Sequence, residues 1–543
     1  MRPKPPSGRW TSWRAWPRRV CSQTCPGAPW QGEAMTEHSR PAPVPALDLI
    51  LAVVDPGSWR SWDRPVPLAT RDADYRADLL AARERTGLDE SVVTGEGTIK
   101  GRRVALVACE FRFLGGSIGV DAGERLVRAV ERATEEGLPL LAAPASGGTR
   151  MQEGTIAFLQ MVKVAAAITD HKAAGLPYLV HLRHPTTGGV LASWGSLGHL
   201  TAAEPGALIG FLGPRVHEAL YGEEFPPGVQ VAENLLANGL VDAVLPAGSL
   251  AEVAARALSV LCADGTADAT TEADVPEAPA PAVAPSAEES IRASRRPGRP
   301  GVREFLKAAA TDVTLLSGTG AGERDPGLLL ALARVGGTPC VVLGHDRGSR
   351  PDHHAGQALG PAGLRAARRG MRIAAELDLP LLTVVDTAGA ALSREAEEGG
   401  LAGEIARCLA DLVNLPAPTL CLLLGQGAGG AALALLPADR VVAARHAWLS
   451  PLPPEGASAI LYRTTDRAYE IAGRQGVRSA DLLANEIVDR IVEEAAEDGD
   501  FLVTLGRVIG GELAALAARG QEERRAARRA RYRRLGAPGG AAS

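Results

Sequence analysis

Short apolar runs alternate with alanine-rich, amphipathic stretches along most of the chain. Examples are "ALVAC" followed by "DAGERLVRAVERA", and "LLTVV" followed later by "AGEIARCLADLV". Apolar runs of about four to eight residues bounded by Gly or Pro are typical of buried strands, and amphipathic runs of helical period are typical of surface helices. Their alternation predicts an α/β fold.

The pattern repeats once along the chain at a single separation. "LPLL" begins at Leu138 and again at Leu379, and "LPYLV" at Leu176 corresponds to "APTLC" at Ala417, 241 positions later in each case. The pairs "GGV" and "GGA", and "AAEPGALIG" and "AARHAWLSP", keep the same separation. An ungapped match over about 70 positions indicates a duplication, so the two halves are expected to be copies of one domain.

Composition divides the chain further. Residues 264–300 are rich in Ala, Pro, Glu and Ser and poor in aromatics, which is the composition of a linker. Residues 1–34 hold four of the eight tryptophans without any periodicity, and Met35 is the expected start of translation. The predicted regions are a doubtful or disordered N-terminal extension (1–34), a first domain (35–263), a linker (264–300), a second domain (301–515) and an Arg-rich tail, expected as a solvated helix (516–543).

A glycine-rich run at residues 425–430, "GQGAGG", has the G-x-G-x-x-G spacing of a dinucleotide-binding turn. Such a site requires an acidic residue about 20 positions further on, after the next strand. The available Asp439 lies only 14 positions from Gly425 and precedes the strand candidate "VVAA". The duplicate, "HPTTGGVLAS", keeps the glycine pair and loses the fingerprint, so nucleotide binding is disfavoured.

Both halves share a strand, a Gly-Gly turn and a following helix. Each has a second such turn upstream, "PASGGTRMQEG" at 144–154 and "DTAGAALSREAEEGG" at 386–400. Glycines at a helix start let backbone N–H groups converge on an anion. Where the anion is a developing enolate or tetrahedral oxygen, this arrangement is an oxyanion hole. The alternative is that the glycines only permit close packing.

Other chemistry finds little support in the sequence. Hydrophobic residues make 46% and charged residues 22%, the net charge is −5, and no apolar run has the length of a membrane span. There is no G-x-S-x-G, phosphate-loop or H-E-x-x-H motif. His353 and His354 fall in a loop-like stretch. Two interpretations remain open for Glu153 and Glu455. Either they transfer protons, or they cap a helix or pair with an arginine.

Several motifs resemble a known enzyme family. "FRFLGGSIGVDAGERLVRAVERA", "PASGGTRMQEG", "HPTTGGVLAS" and "AAEPGALIGFLGPRV" closely resemble the β subunit of the acetyl-CoA carboxylase carboxyltransferase. "GHDRG", "DTAGA", "GQGAGGAALAL" and "PPEGASAILYR" are similar to its α subunit. The resemblance implies a fused β–α carboxyltransferase with two duplicated crotonase-like ββα spiral domains.

The resemblance also implies an activity. The enzyme would move a carboxyl group from carboxybiotin, carried on a separate carrier protein, to the α-carbon of acetyl-CoA, giving malonyl-CoA for fatty-acid biosynthesis. The family pattern places an acyl-CoA hole at Gly147 and Gly148 and a biotin hole at Gly430, Ala431 and Ala432. The internal repeat adds Gly188 and Gly189 as substrate-binding candidates. The partner of Arg150 is left open: it is either an acidic neighbour or a CoA phosphate.

The chain departs from the family in three places. Bacterial β subunits carry a four-cysteine zinc finger, whereas this segment has only Cys21 and Cys25, so no zinc or other metal is expected. Alanine stands at 428 and 431, where the family has glycine, and Ala388 replaces a proline. A positive φ at Ala431 would be strained. These changes keep two alternatives open: a decarboxylase of the same fold, and a non-catalytic acyl-CoA-binding assembly subunit.

The expected partners follow from the same resemblance. They are biotin carboxyl carrier protein, biotin carboxylase and an acyl-CoA, with no nucleic acid or membrane. A homodimer or larger homo-oligomer is expected because the family builds its site across an interface. The expected location is the cytoplasm.

Overall fold

The computed structural model describes residues 44–68, 70, 72–262, 284–347, 358–494 and 498–535. The elements of the first half are α1 (Ala46–Val53), β1 (Arg60–Ser61), α2 (Ala73–Thr86), β2 (Val92–Ile99), β3 (Arg102–Cys109), α3 (Val120–Glu135), β4 (Leu140–Ala143), α4 (Gly154–Ala173), β5 (Tyr178–Leu182), β6 (Thr186–Thr187), α5 (Gly188–Leu191), β7 (Leu200–Ala203), β8 (Ile209–Gly210), α6 (Pro214–Tyr221), α7 (Ala232–Ala237), β9 (Ala243–Val244) and α8 (Ala247–Leu261).

The second half follows the same alternation. Its elements are α9 (Ala287–Ser294), α10 (Val302–Ala309), β10 (Ala310–Leu316), β11 (Leu328–Val335), β12 (Thr338–His345), α11 (Pro361–Glu376), β13 (Leu381–Thr387), α12 (Arg394–Glu398), α13 (Leu401–Asn414), β14 (Thr419–Ala428), α14 (Gly429–Ala434), β15 (Arg440–Ala444), β16 (Trp448–Ser450), α15 (Pro454–Tyr462), α16 (Ala468–Gln475), α17 (Ser479–Ala484), β17 (Arg490–Val492), α18 (Asp498–Ala517) and α19 (Gln521–Arg534).

Each half is built around one mixed sheet. The strand orders are β1-β2-β3-β4-β5-β7-β9 and β10-β11-β12-β13-β14-β15-β17. In both sheets the first three strands are antiparallel and the remaining neighbours are parallel. Beside the first sheet β6 pairs with β8, and in the second half β16 pairs with the end of β14 in the same way. The strand connections therefore repeat from one half to the other.

The register locates where the two copies differ. The separation of 241 positions holds from α3 to β8, but Val92 and Leu328, which pair with Cys109 and His345, lie 236 positions apart. The connection between β12 and α11 is therefore five residues longer than its counterpart between β3 and α3.

The parallel strands are buried because helices cover both faces of each sheet. Every residue of β12 and β14 is buried, and both strands are almost entirely apolar. Continuous apolar runs, rather than alternating ones, are typical of strands covered on both faces. The main core cluster contains residues of both halves, such as Leu141 and Leu258 with Val342, and residues 43–543 form one compact unit.

Two regions differ from the expectation drawn from composition. Part of the predicted linker, from residue 284, is ordered: α9 begins with a capping box at Ser286, and Trp448 donates to the Ser294 hydroxyl at 2.8 Å. The Arg-rich tail is not a solvated helix. Arg528 of α19 is buried, pairs with Asp439 at 2.7 Å and donates to the carbonyl of Leu412 at 2.6 Å. Composition alone does not reveal such partners because they are distant in sequence.

Within the described residues, no single helix has the length and apolarity of a membrane span. The pair Phe501–Ala517 and Gln521–Arg534 meets the criteria of length and composition only jointly, and it is bent by 116°.

A buried ion pair joins the two halves. Both oxygens of Asp242, which precedes β9, accept from Arg369 of α11, at 2.7 and 2.8 Å. Arg369 also donates to the carbonyl of His199 at 3.1 Å. Removing one partner of a buried pair leaves an uncompensated charge, so this contact is sensitive to substitution.

We therefore expect Arg369→Ala to lower the free energy of unfolding by about 3–5 kcal/mol. The matched control is Arg394→Ala, which breaks the exposed pair with Glu398 and is expected to cost about 0–1 kcal/mol. Urea denaturation followed by circular dichroism measures both. An equal effect of the two substitutions would show that Asp242 does not depend on Arg369.

Candidate active site

The two glycine turns of the first half lie against one another. Gly147 and Gly148 follow β4, and Gly188 and Gly189 begin α5. A methyl group on Gly148 would lie 3.2 Å from the nitrogen of Gly189, and one on Gly188 would lie 3.2 Å from the oxygen of Gly147. The structure thus brings together four candidates that are separated by about 40 positions, and only glycine allows this approach of two backbones.

Hydrogen bonds fix the two turns to each other. The N–H of Ser146 donates to the carbonyl of Pro185 at 2.7 Å, and the N–H of Thr187 donates to the carbonyl of Ser146 at 2.8 Å. The N–H of Gly147 donates to Gly115 at 2.9 Å, and that of Gly148 donates to the Ser146 hydroxyl at 3.0 Å. These two N–H groups are engaged within the protein, which differs from the free donors expected at this turn.

The start of α5 is the better place for an oxyanion. Gly188 donates to the carbonyl of Phe211, but Thr187 gives the helix no side-chain cap. The first N–H groups of a helix have no partner within that helix. The donors available to a ligand are therefore the N–H groups of Gly189 and Val190, rather than those of Gly147 and Gly148.

The second half repeats this geometry. Gly429, the first residue of α14, has φ +67°, and its counterpart Gly188 has φ +61°. Ala428 precedes α14 in extended conformation and also gives no cap. Ala431 and Ala432 lie inside the helix and are buried. The strain considered for Ala431 is therefore not present, because the left-handed conformation falls on Gly429.

The remaining glycines of the "GQGAGG" run serve the packing of β14. A methyl group on Gly425 would collide with the carboxylate of Asp386, and one on Gly427 would lie 2.6 Å from the carbonyl of Trp448. Both residues lie within the strand rather than in a turn facing a pyrophosphate. The structure thus gives these glycines a role other than nucleotide binding.

Arg150 pairs with an acidic neighbour, which is one of the two partners that the sequence leaves open. Its guanidinium pairs with both oxygens of buried Glu90, with 2.7 Å between Nη2 and Oε2, and donates to the carbonyl of Ser117 at 2.8 Å. Burial opposes the charge, but the hydrogen bonds and charge of Glu90 raise the pKa of Arg150 above its usual range. Arg150 therefore anchors the turn at Gly147 and Gly148 to the segment that precedes β2.

The two carboxylates considered for proton transfer also have structural partners. Glu153 accepts from Tyr75 and, at 2.6 Å, from the N–H of Val120 at the start of α3. Burial and the bond to Glu153 raise the pKa of Tyr75 to about 12. Glu455 pairs with Arg295 at 2.5 Å. Capping and ion pairing account for both carboxylates.

Candidate metal ligands are sparse. In the described ranges no group of three or more His, Cys, Asp or Glu side chains is arranged to hold a metal ion. Cys21, Cys25, His353 and His354 lie outside the described residues.

Exposed apolar side chains occur at equivalent positions in the two halves. Met151, Phe211 and Leu220 in the first half correspond, 241 positions later, to Leu392, Leu452 and Leu461. All six are between 40% and 93% exposed. Isolated exposed apolar residues are ordinary, but a set that is repeated in both halves is typical of an interaction surface.

Comparison with known proteins identifies the class. The carboxyl transferase domain family matches residues 46–526, so the chain belongs to this family. It is 60% identical over 492 residues to the probable biotin-dependent acyl-coenzyme A carboxylase β3 subunit of Mycobacterium tuberculosis H37Rv, covering 90% of this chain and 97% of that protein. It is 38% identical over 556 residues to the acetyl-coenzyme A carboxylase carboxyl transferase subunits β/α of Parafrankia sp., covering 95% and 89%.

Solved structures agree on the fold. Transcarboxylase 12S, with methylmalonyl-coenzyme A and methylmalonic acid bound, superimposes with a TM-score of 0.68 at 22% identity, over 88% of this chain and 90% of that one. A single-chain, multi-domain long-chain acyl-CoA carboxylase gives 0.67 at 20% identity, over 85% of this chain and 45% of that one. The predicted family and the predicted duplicated crotonase-like fold are both confirmed.

The close approach of the two turns can be tested by substitution. We expect Gly188→Ala to combine left-handed backbone strain with a 3.2 Å contact to the Gly147 oxygen. Gly206→Ala is the matched control, because Gly206 has φ +66° with open space around its Cα. The control should cost about 1–2 kcal/mol of stability, and Gly188→Ala at least about 1 kcal/mol more. Equal losses in urea denaturation would show that the backbones are free to separate.

Proposed function

We propose that this chain is the carboxyltransferase subunit of a biotin-dependent acyl-CoA carboxylase, with acetyl-CoA as acceptor and malonyl-CoA for fatty-acid biosynthesis as product. The observation that carries the proposal is the pair of uncapped helix starts, at Gly188–Gly189 and Gly429–Gly430, one in each duplicated half. The relatives named above support the class of reaction, and the Parafrankia relative, whose name specifies acetyl-coenzyme A, supports the acceptor.

The reaction needs two anion sites. Removing a proton from the carbon next to a thioester places negative charge on the thioester oxygen. Releasing the carboxyl group from carboxybiotin places negative charge on the ureido oxygen. Backbone N–H groups aimed at each oxygen stabilise these charges, and one such donor is worth about 3–4 kcal/mol in a transition state. The ureido nitrogen that releases the carboxyl group as carbon dioxide takes up the proton from the α-carbon, and the new carbon–carbon bond forms between the enolate carbon and that carbon dioxide.

Each half supplies one of these sites. We assign the thioester oxygen to the N–H groups of Gly189 and Val190, and the ureido oxygen to those of Gly430 and Ala431. Gly147 and Gly148 support the first site by packing beneath it, and Ala432 lies one residue further into α14. The carboxybiotin arrives as substrate on a carrier protein loaded by a biotin carboxylase, which are the proposed partners.

Reverse transfer tests the proposal. The purified chain is given malonyl-CoA and free biotin, and release of acetyl-CoA is followed. We expect Gly189→Ala and Gly430→Ala each to lower the rate by about 10²-fold, the cost of disturbing one donor. Gly248→Ala in α8 is the matched control because its surroundings are open, and its rate should equal the wild type.

The other outcomes separate the alternatives. Acyl-CoA binding without release, even after carrier protein is added, would favour the assembly subunit. Biotin-independent loss of CO₂ from malonyl-CoA would favour the decarboxylase. Forward assays with acetyl-, propionyl- and long-chain acyl-CoA then rank the acceptors, and a preference for the longer esters would overturn the assignment of acetyl-CoA.

We further propose that the active form is a homodimer or larger assembly. Leu220 of α6 and Leu461 of α15 occupy equivalent positions in the two halves, and both are more than half exposed. Equivalent surfaces on duplicated domains allow the first half of one copy to face the second half of another, which forms a closed two-fold pair. Such an arrangement would bring the two sites together and exclude water.

We expect Leu220→Arg and Leu461→Arg each to reduce the mass measured by light scattering, because a charge in an apolar interface is costly. Leu80→Arg is the control: Leu80 is about half exposed on α2 and should leave the mass unchanged. A monomeric wild type, or a mass insensitive to both substitutions, would contradict the proposed interface.

A further inference from the structure

The ordered part of the predicted linker lies along the strand that leads to the second glycine turn. At the end of α9 the hydroxyl of Ser294 accepts from the indole N–H of Trp448 at 2.8 Å, and both side chains are buried. Further on, Arg299 donates to the carbonyl of Leu424 in β14 at 2.8 Å. A segment with the composition of a linker is therefore fixed against β14 and β16.

Arg295, the first residue after α9, bridges two elements of the second half. Its Nε donates to the side-chain oxygen of Gln426 in β14 at 3.0 Å. Its two Nη atoms donate to the two carboxylate oxygens of Glu455, in the first turn of α15, at 2.5 and 3.1 Å. Two parallel N–H groups on one carboxylate fix direction as well as distance. Arg295 therefore ties the end of β14 to the start of α15.

The bridged elements flank the second glycine turn. β14 pairs with β16 up to the last residue of each strand, and the chain then continues to Gly429 from one strand and to Pro451 from the other. A methyl group on Gly429 would lie 3.5 Å from the carbonyl oxygen of Pro451. Gln426 lies three residues before Gly429, and Glu455 lies four residues after Pro451. Arg295 thus holds together the two segments that meet at this turn.

The first turn has a different support. The separation of 241 positions makes Pro185 the counterpart of Gln426, and proline has no side-chain oxygen that could accept from an arginine. The turn at Gly147 and Gly148 is instead anchored by the buried pair of Arg150 and Glu90. The contact of Arg295 with Gln426 therefore has no equivalent in the first half.

We propose that Arg295 is a positioning residue for the biotin side of the reaction. By holding Gln426 and Glu455 together, it keeps the segment after β16 against Gly429 and so fixes the residue from which α14 starts. All three nitrogens of the guanidinium donate to protein groups, so its effect on the reaction is indirect. This inference rests on the proposed function, which assigns the ureido oxygen to the first N–H groups of α14.

The first test uses the reverse assay with malonyl-CoA and free biotin. Arg295→Ala removes the bridge, and Arg295→Lys keeps the charge but cannot reach both partners with a rigid fork of donors. Arg292→Ala is the matched control, because Arg292 lies in the same helix and forms an exposed pair with Glu288. We expect kcat/KM for biotin to fall about tenfold in Arg295→Ala, since small misplacements of a reacting group have large effects.

The KM for malonyl-CoA should not change in Arg295→Ala, and Arg295→Lys should recover part of the biotin-side rate. The double variant with Glu455→Ala should lose no more than Arg295→Ala alone, because the two side chains act as one unit. Equal losses for both substrates, additive losses in the double variant, no loss, or the same loss in Arg292→Ala would overturn the inference.

A second measurement does not depend on activity. Amide hydrogen exchange, followed by mass spectrometry in the free protein, should be faster in peptides spanning residues 427–435 and 450–456 of Arg295→Ala than in wild type or Arg292→Ala. Exchange in a peptide spanning residues 186–192 should not change. A wild type that transfers no carboxyl group would refute the proposed function, while this measurement still tests the positioning. Unchanged exchange at the second turn, or faster exchange at both turns, would refute the positioning itself.

Discussion

The architecture of this protein depends on a backbone constraint at the point where a strand passes into a helix against a second backbone. At Gly188 the chain adopts a left-handed conformation and lies in contact with Gly147 and Gly148. Any side chain there would be strained and would meet a carbonyl oxygen rather than a movable group. Of the first N–H groups of α5, that of Gly188 donates to the carbonyl of Phe211, and those of Gly189 and Val190 are the donors assigned to a ligand. Gly429, the first residue of α14, adopts the same left-handed conformation.

The two duplicated halves have the same backbone framework at their glycine turns, but the buried side chains near these turns differ. In the first half, the turn at Gly147 and Gly148 is anchored by the buried ion pair of Arg150 and Glu90. In the second half, buried Asp386 pairs with Arg347 and accepts from the N–H of Gln426 in β14. The backbone donors are alike in the two halves, so any difference in what they bind has to come from these supporting groups. A fold with two copies of one turn can thus serve two chemically different oxyanions.

Much of this arrangement could be predicted from the sequence. The constant separation of 241 positions is enough to align the two turns and to make Gly188 and Gly189 the counterparts of Gly429 and Gly430. The strands were predictable because both faces are buried and their residues are almost all apolar. The family motifs carried the fold and the reaction class, since these depend on the same glycines.

The remaining features depend on contacts that a sequence pattern does not contain. The N–H of Gly147 donates to the carbonyl of Gly115, and Arg150 pairs with Glu90 sixty positions earlier, so both groups are engaged within the protein. The left-handed residue of the second turn is Gly429, two positions before Ala431, and only the helix boundary shows this. Backbone donors are strong only where water is excluded, yet Met151 and Leu392, which follow the upstream glycine turns, are largely exposed in the single chain. The proposed assembly links the two features: the donors would reach their full strength only when a second surface covers these apolar side chains and excludes water.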